Sequence, residues 1–211
     1  MKIAPGYVSL PARFASINGR LKKPRTLEAM RTQGFSEESE KMDPQTFFTI
    51  LNSPVGALFL TSNGEAITEL FMEKHTGGPK PISDWRRDDN LFREAADQLR
   101  AYFAGELTEF DLPLATPGTQ FQQSVWAELQ KIPYGSTISY GELARRIGRP
   151  NAPRAVGAAN GSNPISIIIP CHRLIGSNRK LTGYGGGIER KKFLIEFEAE
   201  TLARLNQYRE R

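Results

Sequence analysis

Apolar positions come in short strand-like runs through the first half of the chain and at helical spacing through much of the second. Phe47 to Leu51 reads as a strand, Asn52-Ser53-Pro54 as a turn and Val55 to Thr61 as a second strand. Ser62-Asn63-Gly64 supplies a tight connection, since Asn and Gly accept the positive φ such turns demand, and Ala66 to Met72 follows as a third strand. Residues 73–89 are polar, carry Gly77, Gly78, Pro79 and Pro81, and are expected as a loop. Leu91, Phe92, Ala95, Leu99 and Phe103 then recur at helical intervals, with Gly105 just past the end.

Beyond Leu112 to Gly118, where Pro113 and Pro117 suggest a linker, the pattern is helical. Thr119 is a candidate N-cap for a helix whose apolar face holds Phe121, Val125, Trp126 and Leu129. Pro133-Tyr134-Gly135 interrupts it, and Ser139 can cap a short helix carrying Leu143, Ala144 and Ile147. A second short helix, from near Ala152 through Arg154, Ala155, Val156, Gly157, Ala158 and Ala159, completes helix-turn-helix spacing. Its small residues leave a smooth surface with one long basic side chain, suited to close approach to a groove. A closing helix starts near Ile188.

The expected architecture is an α/β domain over residues 44–112, a linker at 113–118 and a mostly helical domain over 119–200. A flexible, mixed-charge extension (1–43) and a tail (201–211) flank them. The first domain is expected as a small antiparallel sheet plus a helix. Lys and Arg exceed Asp and Glu by 28 to 23, a formal charge of +5, which suits a DNA-binding protein without requiring one. A single cysteine argues against a secreted, disulfide-stapled scaffold, and no apolar run is long enough to span a bilayer. A cytoplasmic protein with no membrane partner is expected.

That cysteine, Cys171, ends the run Ile167-Ile168-Ile169-Pro170 and precedes His172 and Arg173. A lone thiol is a buried inert group, a single weak metal ligand or a nucleophile. Two polar residues directly after it make a poor core, which favours the nucleophile. On an extended segment adjacent side chains diverge, so His172 is expected to act on Cys171 through a water, oriented by Glu198 or Glu196. Gly183 to Gly187 lacks a Walker lysine and is not a phosphate cradle. Trp85, Arg86 and Arg87 read as a solvated loop, His75 as an exposed one, and Trp126 as core. Arg179, Lys180, Arg190, Lys191 and Lys192 flank the cysteine segment and are candidates for phosphate contacts.

Pro170-Cys171-His172-Arg173, with Ser139-Tyr140, Arg154-Ala155-Val156-Gly157, Asn163-Pro164, Gly183-Tyr184 and Glu198, resembles the active-site region of the O6-alkylguanine-DNA alkyltransferases. The likeness is close from about residue 119 to 200 and looser over 46–112, where it implies a ribonuclease-H-like sheet. It implies a methylated-DNA–protein-cysteine methyltransferase, in the bacterial constitutive form, that needs no cofactor or metal. Its partner would be double-stranded DNA with O6-alkylguanine, and less certainly O4-alkylthymine, in a flipped-out nucleotide. Cys171 would accept the alkyl group, once only, with His172 taking its proton and Glu198 holding the imidazole. Tyr140 would donate to the leaving base and Arg154 would fill the gap in the stack. Ala155, Gly157 and Ala158 would meet DNA, and Asn163 would brace the hinge. Trp126, Pro170, Tyr184, Gly185 and Gly186 would surround the alkyl group. A monomer is expected, with clustering along DNA left open.

Two departures stand out. Gly185 occupies a place where many members have serine, removing a side-chain donor near the base. With one cysteine, the zinc sites of some relatives have no counterpart. Competing readings are a cysteine hydrolase, a helix-turn-helix regulator, and a non-catalytic protein that recognises alkylated DNA.

Overall fold

In this computed structural model residues 45–73 and 84–209 are described. The expected N-terminal extension and His75 lie outside them. The first three strands form where the short apolar runs placed them: β1 (Phe47–Ser53), β2 (Gly56–Ser62) and β3 (Ile67–Met72) pair antiparallel. A fourth strand, β4 (Arg86–Arg87), joins the open edge of β1 in parallel, Phe47 opposite Arg86. This corrects the expectation of a loop there, and Trp85 stacks on Phe59 at 5.9 Å instead of lying in solvent. Backbone pairing along β1 drives this strand, since two exposed arginines carry no apolar pattern.

Helix α1 (Arg93–Ala104) ends at Gly105, whose φ of 72° is the left-handed cap that glycine adopts without a Cβ penalty. Ala95, Leu99 and Tyr102 lie on its buried side and join Leu58, Leu60, Leu70 and Met72 of the sheet in one apolar core. Residues 113–115 are not a free linker. Pro113 O accepts from Ile67 N at 2.8 Å and Ala115 N donates to Ile67 O at 2.9 Å, so the segment pairs with β3.

Helix α2 (Gln120–Gln130) starts with the expected cap, elaborated into a capping box between Thr119 and Gln122. After β5 (Ile138–Ser139), α3 (Tyr140–Arg146) is capped by Ser139 Oγ, which accepts from Glu142 N at 3.1 Å. Helix α4 (Pro153–Gly161) has Pro153 at its first position, where a fixed φ helps and no N–H is missed. Strand β6 (Leu174–Ile175) pairs in parallel with β5 and draws the start of α3 toward the segment after Cys171. The closing helix α5 runs Ile188–Arg209, so residues 201–209 continue a helix where a tail was expected. Among the described residues no helix is long and apolar enough to cross a membrane.

Candidate active site

The segment that delivers Cys171 is fastened to the edge of the first domain's sheet. Leu70 N donates to Pro164 O at 2.8 Å, and Ser166 N donates to Leu70 O at 2.9 Å. The chain then makes a three-residue turn in which Ile168 N reaches Ser166 O at 2.9 Å and Ile167 sits at φ 72°. A β-branched residue rarely adopts that region, at a cost of about 1–3 kcal/mol, so the surroundings must enforce it. Asn163 does so from inside the turn. Its Nδ2 donates to Ile169 O at 2.9 Å and its Oδ1 accepts from Ile165 N at 3.0 Å. These two bonds hold the turn from within, and the isoleucines around Asn163 are buried.

Pro170 leads into a single turn of 3-10 helix, Cys171–Arg173, rather than the extended segment expected. All three side chains are buried. The turn points His172 and Arg173 at one carboxylate, that of Glu198 on α5. Its Oε1 accepts from Tyr102 Oη at 2.8 Å, Arg173 Nη2 at 2.9 Å and His172 Nε2 at 2.9 Å. Its Oε2 accepts from Arg173 Nε at 2.9 Å and Gly135 N at 3.1 Å. Gly135 has φ 71°, and a Cβ there would sit 2.9 Å from Leu202 Cδ2, so glycine permits this approach. Burial pushes Glu198 up, but the bonds and charges of His172 and Arg173 outweigh it and hold the carboxyl at about 2. Glu196, the other candidate, is exposed and faces Lys192 at 3.9 Å.

An ionised carboxylate only accepts, so the hydrogen in the His172–Glu198 contact belongs to Nε2. Nδ1 is then the lone-pair nitrogen, and it is buried with no protein partner among the described residues. Burial keeps the imidazole below its ordinary value against the pull of Glu198, so it is neutral and basic at neutral pH. The Cys171 thiol is pushed up by burial, and hydrogen bonding from Asn163 and the charge of Lys191 oppose that push.

Lys191 was grouped with phosphate-contacting residues, and the structure corrects this. Its Nζ is buried, donating to Leu174 O at 2.6 Å and Thr182 O at 2.8 Å, 5.9 Å from the Tyr140 ring. Burial lowers it to about 8, and Cys171 works in the opposite sense. Arg190 is likewise engaged, with Nε donating to Val55 O at 2.6 Å. Arg179, Lys180 and Lys192 remain exposed.

Tyr140 opens α3, and its hydroxyl donates to Thr182 O at 3.3 Å. Its ring lies against Gly157 of α4, where a Cβ would meet it at 3.6 Å. Tyr184 has a buried hydroxyl with no protein partner among the described residues, and burial holds it well above its ordinary value. Gly186 is tighter: a Cβ would come within 2.7 Å of Met72 Sδ and 3.0 Å of the Tyr184 ring. Gly185 lies beside it in the same turn. One residue expected in the alkyl pocket belongs to the core. Trp126 is a core residue whose Nε1 donates to Ala159 O at 2.8 Å. Pro170, directly before Cys171, also lines a cleft of about 360 Å³ with Phe110, Tyr134 and Arg173.

On α4, Arg154, Ala155 and Ala158 are exposed on one side while Val156, Ala159 and Asn160 are buried. Arg154 has no hydrogen bond or ion pair among the described residues. Asn160 faces inward and donates to Cys171 O at 3.4 Å, tying this helix to the cysteine turn. Sequence reasoning placed Arg173 in the motif without a role and missed Tyr102, Gly135 and Asn160 as parts of the site. Arg173 and Tyr102 carried a signal: a charged residue directly after a buried motif, and a tyrosine at a core position of α1 whose hydroxyl needs a partner.

The helix-turn-helix of α3 and α4 is thus joined to a buried Cys-His-Glu array, the arrangement of a DNA-binding protein with a single buried thiol. The pattern of 6-O-methylguanine DNA methyltransferase, DNA binding domain, matches residues 120–200, and that of its ribonuclease-like domain matches residues 46–116. The chain belongs to the 6-O-methylguanine DNA methyltransferase family. It is 56% identical over 151 residues to a Mycobacterium bovis methylated-DNA–protein-cysteine methyltransferase, covering 72% of this chain and 91% of the relative. The Methanosarcina acetivorans protein of that name is 49% identical, covering 72% of this chain and 97% of the relative. Mycobacterium tuberculosis OGT, solved in complex with DNA, superposes with a TM-score of 0.70 at 54% identity, covering 74% of this chain and 94% of that one.

Proposed function

We propose that this chain repairs alkylated DNA by direct reversal, moving the alkyl group from O6 of guanine to Cys171. The observation that carries the reading is the single cysteine beside His172, whose Nε2 is committed to Glu198 and whose Nδ1 is left as a base. His172 Nδ1 takes the thiol proton through a water, and Lys191 steadies the thiolate. The thiolate attacks the alkyl carbon in line, so a carbon–sulfur bond forms as the carbon–O6 bond breaks. The electron pair leaves with guanine, which takes up a proton. Tyr140 donates to the base as its charge develops.

A buried thiol cannot reach a base inside a duplex, so the nucleotide must turn out of the stack at a cost of a few kcal/mol. The bare face of α4 lies against the DNA, and Arg154 occupies the space the base leaves. The thioether product has no good leaving group, so each chain acts once, on O6-alkylguanine. The protein works where the DNA is, in the cytoplasm. Digesting a duplex with one O6-methylguanine after incubation tests this by nucleoside analysis. One O6-methylguanine should disappear per chain added and none with Cys171→Ser. Loss in excess of chain would contradict single use, and no loss at all would leave a lesion-recognition protein.

A further inference from the structure

We propose that Tyr102 is a positioning residue for the alkyl transfer: its hydroxyl, delivered from α1 of the first domain, sets how firmly Glu198 holds His172. The role deepens the reaction proposed above and rests on it. Tyr102 is fully buried, and its hydroxyl donates at 2.8 Å to Glu198 Oε1, the same oxygen that His172 Nε2 uses at 2.9 Å. The direction of donation is fixed because the carboxylate is ionised. Burial and the charge of Glu198 keep the phenol protonated, well above its ordinary value.

Packing alone does not call for that oxygen. The ring is held edge-on by Phe103 at 5.1 Å and Tyr134 at 5.9 Å, with Phe110 and Phe197 beside it, and a phenylalanine would fill the same space. A hydroxyl in an aromatic cluster is costly unless bonded, and Glu198 is the acceptor it has. The Tyr102 donor on Oε1, added to those of His172 and Arg173, draws charge away from the imidazole and limits how much the carboxylate favours imidazolium. Arg173 acts at both oxygens, Nη2 on Oε1 and Nε on Oε2, and the Gly135 N–H acts on Oε2, so Tyr102 is the neutral donor on the oxygen that holds His172. The charged and titratable groups facing the pair are Tyr102 from α1, Tyr134 before β5, Cys171 and Arg173 on the turn, Tyr184 after it, and Lys191 on α5. Tyr102→Phe removes one donor and changes none of the charges.

The chain has only two histidines, His75 and His172, so imidazole resonances in the intact protein can be followed by NMR with one as reference for the other. In Tyr102→Phe, the His172 titration should move up by about half a pH unit or more while His75 stays in place. The acid limb of the methyl-transfer rate should move up with it, because His172 must be neutral to take the thiol proton, and duplex affinity should not change. Phe103→Leu disturbs the same cluster without touching the hydroxyl, and should lower the melting temperature while leaving the titration alone. A Tyr102→Phe protein that is less stable but keeps both the wild-type titration and acid limb overturns the proposal. So does an equal shift in Phe103→Leu. If His172 shifts as expected but wild-type Cys171 takes no methyl group, the reaction reading fails and the control of His172 by Tyr102 stands.

Discussion

The Glu198 carboxylate and the outer face of α4 solve opposite problems. Glu198 is fully buried and accepts from four residues drawn from α1, the turn before β5 and the cysteine turn. On α4, Arg154, Ala155 and Ala158 are exposed, and Arg154 has no partner among the described residues. A charge inside the protein is stable only when every lone pair is met, and once met it cannot move. A surface that must accept a large polyanion keeps its donors uncommitted and its side chains small. Asn160 and Tyr140 couple the two regions, one reaching Cys171 O from the buried side of α4, the other packed against Gly157. The comparison separates substitutions that cost stability and chemistry together from those that cost duplex binding alone.

The largest effects fall inside. Arg173→Met leaves Glu198 buried with its strongest partner gone, and chemical denaturation should register a loss of about 3–5 kcal/mol. Methyl transfer should fall by at least about 100-fold in the same protein, since His172 loses its fixed orientation. Asn163→Ala should cost about 1–3 kcal/mol, because the carbonyl of Ile169 and the N–H of Ile165 lose a buried partner and Ile167 loses its restraint. Transfer from the free base should slow with it. On the open side, Arg154→Ala should slow transfer from duplex about tenfold or more while leaving transfer from free O6-methylguanine base unchanged. Its unfolding free energy should stay within about 0.5 kcal/mol of wild type. Equal losses on duplex and free base would erase the distinction between the two regions.

A pH series sharpens the contrast further. Glu198 and His172 both titrate below their ordinary values in the folded protein, so each contributes stability at high pH that is lost on acidification. The loss should begin as pH falls below about 6.5, the ordinary histidine value, and steepen from about 4.5 toward 2 as Glu198 is forced to protonate. Glu198→Gln should flatten the lower part of that curve, on the order of 3 kcal/mol of pH dependence. Arg154→Ala should follow the wild-type curve throughout.

Local signals made most of the fold legible. Short apolar runs between turn residues marked β1 to β3, Gly105 ended α1, and Thr119 and Ser139 capped α2 and α3 as their side chains allow. Strand β4 was hidden because two exposed arginines pair through backbone alone. The buried stripe of α5 was also hidden. Lys191, Leu194, Glu198 and Thr201 all face inward, so polarity there marks the site rather than solvent. Motif residues were readable because they cluster in sequence around Cys171. Tyr102 lies 96 residues from Glu198, and only closure of the first domain against α5 brings the two together. The turn that aims His172 depends on a left-handed isoleucine, which no propensity would place there.

The claim at the centre of this account is that Cys171 becomes alkylated. It is tested most directly by intact mass after mixing the protein with excess duplex bearing one O6-methylguanine. A gain of about 14 Da on every chain, mapped to Cys171 and absent from Cys171→Ser, is the predicted result. An unchanged mass with the lesion still bound would contradict it, as would a gain that survives in Cys171→Ser.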